Sequence, residues 1–104
     1  MQVQVNTDSN IQGRDDVTER VKASVVHALE RFGERITRVE VHLSDENSTK
    51  AGAADKRCLL EARLPGMQPV IASHHADGLP QAIDGALDKL RRALESAIGK
   101  HTNR

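Results

Sequence analysis

Polar and apolar residues alternate from the start of the chain. In Gln2-Val-Gln-Val-Asn-Thr7 the valines at 3 and 5 share one face and the polar side chains the other. That two-residue period predicts a half-buried strand. Asp8 to Gly13 reads as a turn. From about Asp15 the period lengthens, with Val17, Val21, Val25, Ala28, Leu29 and Phe32 recurring at three- and four-residue spacing. One apolar stripe at that spacing predicts an amphipathic helix. Asp15 and Asp16 suit its positive N-terminal end, and Gly33 offers a stop. The period returns to two over Ile36–Ser44, with Val39, Val41 and Leu43 against Arg38, Glu40 and His42.

Asp45 to Asp55 is polar and reads as a mobile loop, most of all across 47–55. Lys56–Leu64 predicts a third strand with Cys58, Leu60, Ala62 and Leu64 inward and Arg57, Glu61 and Arg63 outward. Pro65-Gly66 marks a turn, Pro69–His75 a fourth strand, and Gly78 to about Lys100 a second amphipathic helix. The predicted fold class is α+β: a two-layer sandwich of order β-α-β-β-β-α, with a four-stranded mixed sheet and two helices on one face. The crossover helix joins two parallel strands, and the last three strands make an antiparallel meander. The other sheet face is then polar and open to water. Residues 1–104 are expected to form a single domain.

Composition narrows the function. Formal charge is balanced, so net electrostatics selects neither nucleic acid nor membrane as partner. Its distribution is uneven: residues 1–88 carry ten basic and fourteen acidic side chains, whereas 89–104 carry five basic and one acidic. The C-terminal end is locally positive, and local sign matters most within a Debye length of about 8 Å. Phe32 is the only aromatic residue. Modules that stack bases on exposed rings are thereby excluded, leaving phosphates, 2′-hydroxyls and shape as the means of reading any nucleic acid. Cys58 is the single cysteine, so no internal disulfide forms. The chain opens directly on a strand rather than a leader, and no apolar run nears the roughly 20 residues of a membrane span. A soluble, cytoplasmic protein is expected, with no membrane partner.

The segment Ala82-Ile83-Asp84-Gly85-x-x-Asp88-Lys89-Leu90-x-Arg92-x-Leu94 resembles the final helix of the ribosome hibernation-promoting factors, the ribosome-associated inhibitor A or sigma-54 modulation group, in their short form. Leu29-Glu-Arg-Phe-Gly-Glu-Arg-Ile36 resembles the family's turn from first helix into second strand. The order of elements agrees as well. Gly78 stands where the family usually has a capping Asp, Pro80 where it often has Tyr, and Ser96 and Ile98 where it has lysines. The resemblance implies binding to the small ribosomal subunit and its 16S rRNA, in the channel that carries mRNA and tRNA. It implies inhibition of translation by occupancy in stress or stationary phase. A separate ribosome-dimerising factor is a further partner it suggests, because the chain ends just past the second helix, without the extra C-terminal domain that pairs ribosomes in long members.

The candidate rRNA-binding residues are Lys89, Arg92 and Lys100 on the second helix, Arg20 and Arg31 on the first, and Arg35 at the start of the second strand. At about 100° per residue, Lys89, Arg92 and Lys100 fall on one stripe away from Ile83, Leu87, Leu90 and Leu94. Ala82, Gly85 and Ser96 share it, and small residues there would admit a phosphate backbone. A mid-helix glycine costs about 1 kcal/mol relative to alanine, so Gly85 signals a close approach by some neighbour. Arg20, His27 and Arg31 lie together on one flank of the first helix, where they could border a groove between the helices. His74 and His75 point to opposite faces of a strand and suit no shared metal ion. Cys58 reads as core filler. Asp84 and Asp88 have carboxylate-pair spacing, with no accompanying base or nucleophile. No enzyme activity, cofactor, metal or small-molecule substrate is expected. The alternative to ribosome binding is a regulatory protein-binding module of the same fold, which the acidic majority of the chain favours.

Overall fold

A computed structural model describes residues 1–8, 11, 14–46 and 56–102. The expected mobile segment 47–55 lies outside them. Strands β1 (Gln2–Thr7), β2 (Arg38–Asp45), β3 (Lys56–Arg63) and β4 (Val70–Ala76) form one sheet in the order β1-β2-β3-β4. Helix α1 (Arg14–Leu29) crosses from β1 to β2, and α2 (Leu79–Thr102) follows β4. β1 and β2 are parallel, with Val3 opposite Val39 and Val5 opposite Val41. The other two pairings are antiparallel, with Leu60 between Val41 and Ala72. The chain thus adopts the expected mixed-sheet α+β sandwich.

Register places Val39, Val41, Leu43, Cys58, Leu60 and Ala62 on one face, each buried. Upon them lie Val21, Val25 and Leu29 of α1 and Ala82, Ile83, Ala86, Leu87, Leu90 and Leu94 of α2. Burial of these β-branched and leucine side chains holds α1 despite the poor helix propensity of its valines.

Three boundaries around β2 and α1 differ from the sequence reading, and β3 and β4 shift by a residue. The α-helical geometry stops at Leu29, and a 3₁₀ segment (Glu30–Arg35) completes the turn. Gly33 within it has φ 56° and ψ −133°, a conformation open to glycine and strained for other residues. The local turn also delays β2 to Arg38. At the other end of β2, Asp45 belongs to the strand, opposite Lys56 in the ladder; its N–H donates to Asp8 Oδ2 over 3.1 Å, and its carboxylate, on a residue 8% exposed, faces Lys56 Nζ at 3.2 Å. A carboxylate paired with a cation and bound into a sheet end gains what a loop position would not supply.

Gly78 caps α2, its carbonyl accepting from the Ala82 N–H over 3.0 Å. Pro80 follows in the first turn, where its missing N–H costs no helical bond. Gln81 folds back over Gly78 and fills the space where a Cβ would stand. Among the described residues no helix is long and apolar enough to cross a membrane.

Candidate nucleic-acid interface

The two faces of the domain treat their charges differently. On the outer sheet face, cross-strand register brings Arg38 beside Arg63 and Glu40 beside Glu61. Arg38 reaches Gln4 and Glu40, while Arg63 lies 3.8 Å from Glu40 and 3.6 Å from Glu61. Arg57 and His75 both approach Glu46, at 3.7 and 3.4 Å. The three arginines are neutralised on this face, and exposed pairs of this kind contribute about 0–1 kcal/mol each.

The helix layer holds the six candidate cations, in unlike states. Arg20, Arg35 and Lys100 are exposed and have no acidic partner among the described residues. Arg92 donates to Asp88 over 2.6 Å, and Arg91 shares the same carboxylate at 3.2 Å. Arg31 pairs with Glu95 of α2 and lies over the Phe32 ring, 5.0 Å from its centroid. Lys89 Nζ donates to the Ser73 carbonyl of β4 over 3.3 Å.

These partners show how the sets are arranged. Arg31 meets Glu95 across the helix pair, and Arg20 meets the Leu79–Asp84 turn of α2 across a cleft. The helices therefore run side by side in the same direction. Lys89 reaches the opposite side of α2, over β4. The Arg20/Arg31 flank and Lys89 do not border one groove. The groove that exists, about 360 Å³, has Val17, Val21, Leu79 and Ile83 as its floor and Arg20, Ser24, Pro80 and Asp84 on its rims.

Two of the three small residues grouped with the basic stripe, Ala82 and Gly85, have a different role from that expected, while Ser96 is exposed. Ala82 is fully buried, and Gly85 lies under the His74 ring, which leaves no room for a Cβ. They seat α2 on β4 rather than admit a phosphate backbone. The wheel angle of Ala82 and Gly85 is compatible with either flank, and only the position of β4 decides it.

Arg91, outside the six candidates, sits beside Arg92 on the same carboxylate. Its signal was present in the sequence: Asp88, Arg91 and Arg92 stand at i, i+3 and i+4, the spacing at which one carboxylate takes two arginines. The two histidines diverge as expected, His74 against Gly85 and His75 towards Glu46 on the other sheet face.

Cys58 is fully buried, and that burial pushes its thiol up to about 12. The reactive thiolate is therefore nearly absent at neutral pH. A thiol reagent at pH 7.5 is expected to label the native protein at least roughly a hundredfold more slowly than the urea-unfolded chain. Comparable rates in a folded sample would show that Cys58 is accessible. The raised value also has a sign for stability. Between the unfolded value of 9.0 and the folded value of about 12, only the unfolded chain releases this proton, so this contribution to stability falls as pH rises.

A four-stranded mixed sheet under two helices, in the order βαβββα, is the structural class of the domain; among the described residues its unpaired candidate cations are on the helix side. The chain belongs to the sigma 54 modulation protein / S30EA ribosomal protein family, whose model matches residues 9–102. This is the family of the hibernation-promoting factors that its final helix resembles. Among solved structures, it is similar to a ribosomal subunit interface protein from Coxiella burnetii, at 14% identity and TM-score 0.68 with all of both chains covered. It is also similar to the N-terminal domain of Thermus thermophilus Protein Y, at 21% identity and TM-score 0.67, covering 89% of this chain and 96% of that one. At these identities the likeness is one of fold. None of the curated proteins matches the chain significantly.

Proposed function

We propose that this protein binds the small ribosomal subunit through 16S rRNA, occupies the mRNA and tRNA channel, and inhibits translation in stress or stationary phase. Family membership supplies the class of partner. The observation that carries the reading to a surface is the charge asymmetry: among the described residues Arg20, Arg35 and Lys100 stand without acidic partners on the helix side, whereas the sheet-face arginines are neutralised. Unpaired exposed cations can release counterions from a phosphate backbone without first giving up a carboxylate. Lys89, Arg92 and Arg31 act as secondary contacts, since each must exchange an internal partner for phosphate. The protein reads folded RNA by shape and backbone, because it has no Trp or Tyr and its one Phe, Phe32, is half-buried.

Co-sedimentation with purified small subunits across a salt series tests the proposal. Three phosphate contacts predict that log K falls with log salt at a slope of about −2 to −3. Arg20→Ala with Lys100→Ala is expected to flatten that slope by about 2. Lys89→Ala with Arg92→Ala should weaken association less and leave the fold intact, as both side chains are exposed. Absence of association at low salt from a folded sample would overturn the reading.

The second reading is a protein-binding module of the same fold. It is favoured by the acidic majority of the chain, fourteen acidic against ten basic residues across 1–88. A partner held mainly by apolar contact would bind with little salt dependence, which separates the two.

A further inference from the structure

The sheet order places β4 at an edge, with no further strand beyond it among the described residues. Its residues, Val70-Ile-Ala-Ser-His-His-Ala76, include no Asp, Glu, Lys, Arg or Pro. A free edge presents unpaired N–H and C=O groups as a template for another strand. Proteins usually defend it with charge, proline, a bulge or a covering element. Here Ile71 stands 57% exposed on that strand. Among the described residues, the side chain that hydrogen-bonds the β4 backbone is that of Lys89, through the Ser73 carbonyl. In an antiparallel ladder the N–H and C=O of one residue point the same way, and the direction alternates along the strand. Ser73 therefore turns both groups away from β3, as do Ile71 and His75 on either side of it.

We propose that the β4 edge is a self-pairing surface for a second copy of this chain, added antiparallel, and that Lys89 is the gate that holds this pairing weak. The neutrality of the strand selects the occupant. It offers nothing for a charged strand to complement, and it does not repel itself. A two-fold axis through Ser73 sets Ser73 against its counterpart and Ile71 of each copy opposite His75 of the other. The exposed Ile71 then packs on an imidazole, and the sheets join into a continuous one. Lys89 opposes this in two ways. Its ammonium occupies the Ser73 carbonyl nearest the axis, and closure brings two such ammonium groups together. This surface is separate from Arg20, Arg35 and Lys100 and does not depend on ribosome binding.

Sedimentation velocity of the full chain, from micromolar to millimolar concentration, tests the proposal. Lys89→Ala is expected to form dimers at about tenfold lower concentration than the wild type, the effect of one charge-assisted hydrogen bond released for pairing. Adding Ser73→Pro should abolish association in that background, since proline removes an edge N–H without touching the β3 ladder. Circular dichroism and urea melts establish that each variant is folded. Arg92→Ala removes a cation from the same helix without contact to β4 and should sediment as the wild type does. The proposal falls if Lys89→Ala stays monomeric throughout, if Ser73→Pro fails to reverse its dimerisation, or if Arg92→Ala dimerises equally well.

Discussion

Leu90→Ala is expected to cost about 2–5 kcal/mol of stability, the range for truncating a buried leucine to alanine. Leu90 is fully buried, midway along the face by which α2 sits on β3 and β4. The removed methyls lose their transfer free energy, and the sheet below and helix above can close the cavity only in part. A domain of this size has about 5–15 kcal/mol in total, so the variant stands near the threshold of folding. Urea denaturation should show a lower midpoint at unchanged m-value, and Tm should drop by at least roughly 10 °C. Val26→Ala is the matched control: Val26 is exposed on α1, and alanine there has the better helix propensity. Equal losses from the two substitutions would mean that α2 does not form the roof of the core.

The second large effect is expected at Gly85, where two principles oppose each other. Gly85→Ala inside a helix should gain about 1 kcal/mol from propensity. The added Cβ, however, enters the space held by the His74 ring, which is itself half-buried between β4 and α2. Overpacking of this kind costs about 1–3 kcal/mol. The substitution should therefore destabilise, against the propensity scale. With His74→Ala the ring is gone and the clash with it, so Gly85→Ala in that background should stabilise. The double-mutant cycle is expected to return a coupling of about 1–3 kcal/mol. Additive effects would show that His74 and Gly85 do not constrain one another. Because Lys89 follows Gly85 by one helical turn, a helix lifted off β4 also withdraws Lys89 from Ser73. The packing of Gly85 and the gate at the sheet edge therefore depend on the same approach of α2 to β4.

Much of the fold is legible in the sequence. The alternation Val39, Val41, Leu43 and Cys58, Leu60, Ala62 could bury only one face, and the register observed is the one that buries all six. A slip by one residue would have exposed them all. The 3.6-residue stripe of α2 likewise left only one side to meet the sheet. Less legible were positions governed by contacts distant in sequence. Asp45 looked like loop because its neighbours are polar, yet its place in β2 depends on Lys56, eleven residues on. The end of α1 at Leu29 rather than near Gly33 depends on how Phe32 and Ile36 fold back over the core.

The candidate site divides in the same way. Residue type and helical spacing identified the cations, and even the shared carboxylate of Arg91 and Arg92 follows from i, i+3 and i+4 spacing. Spacing says nothing about partners on other elements. That Arg31 meets Glu95, that Lys89 lies on the Ser73 carbonyl, and that Arg20 forms no ion pair among the described residues all follow from how α1, α2 and β4 are set against each other. Sequence by itself determined which faces are apolar, because hydrophobic periodicity is a local property of the chain. Tertiary structure alone decided which cations remain available, because pairing is a matter of distance between elements, and periodicity carries no distance between them.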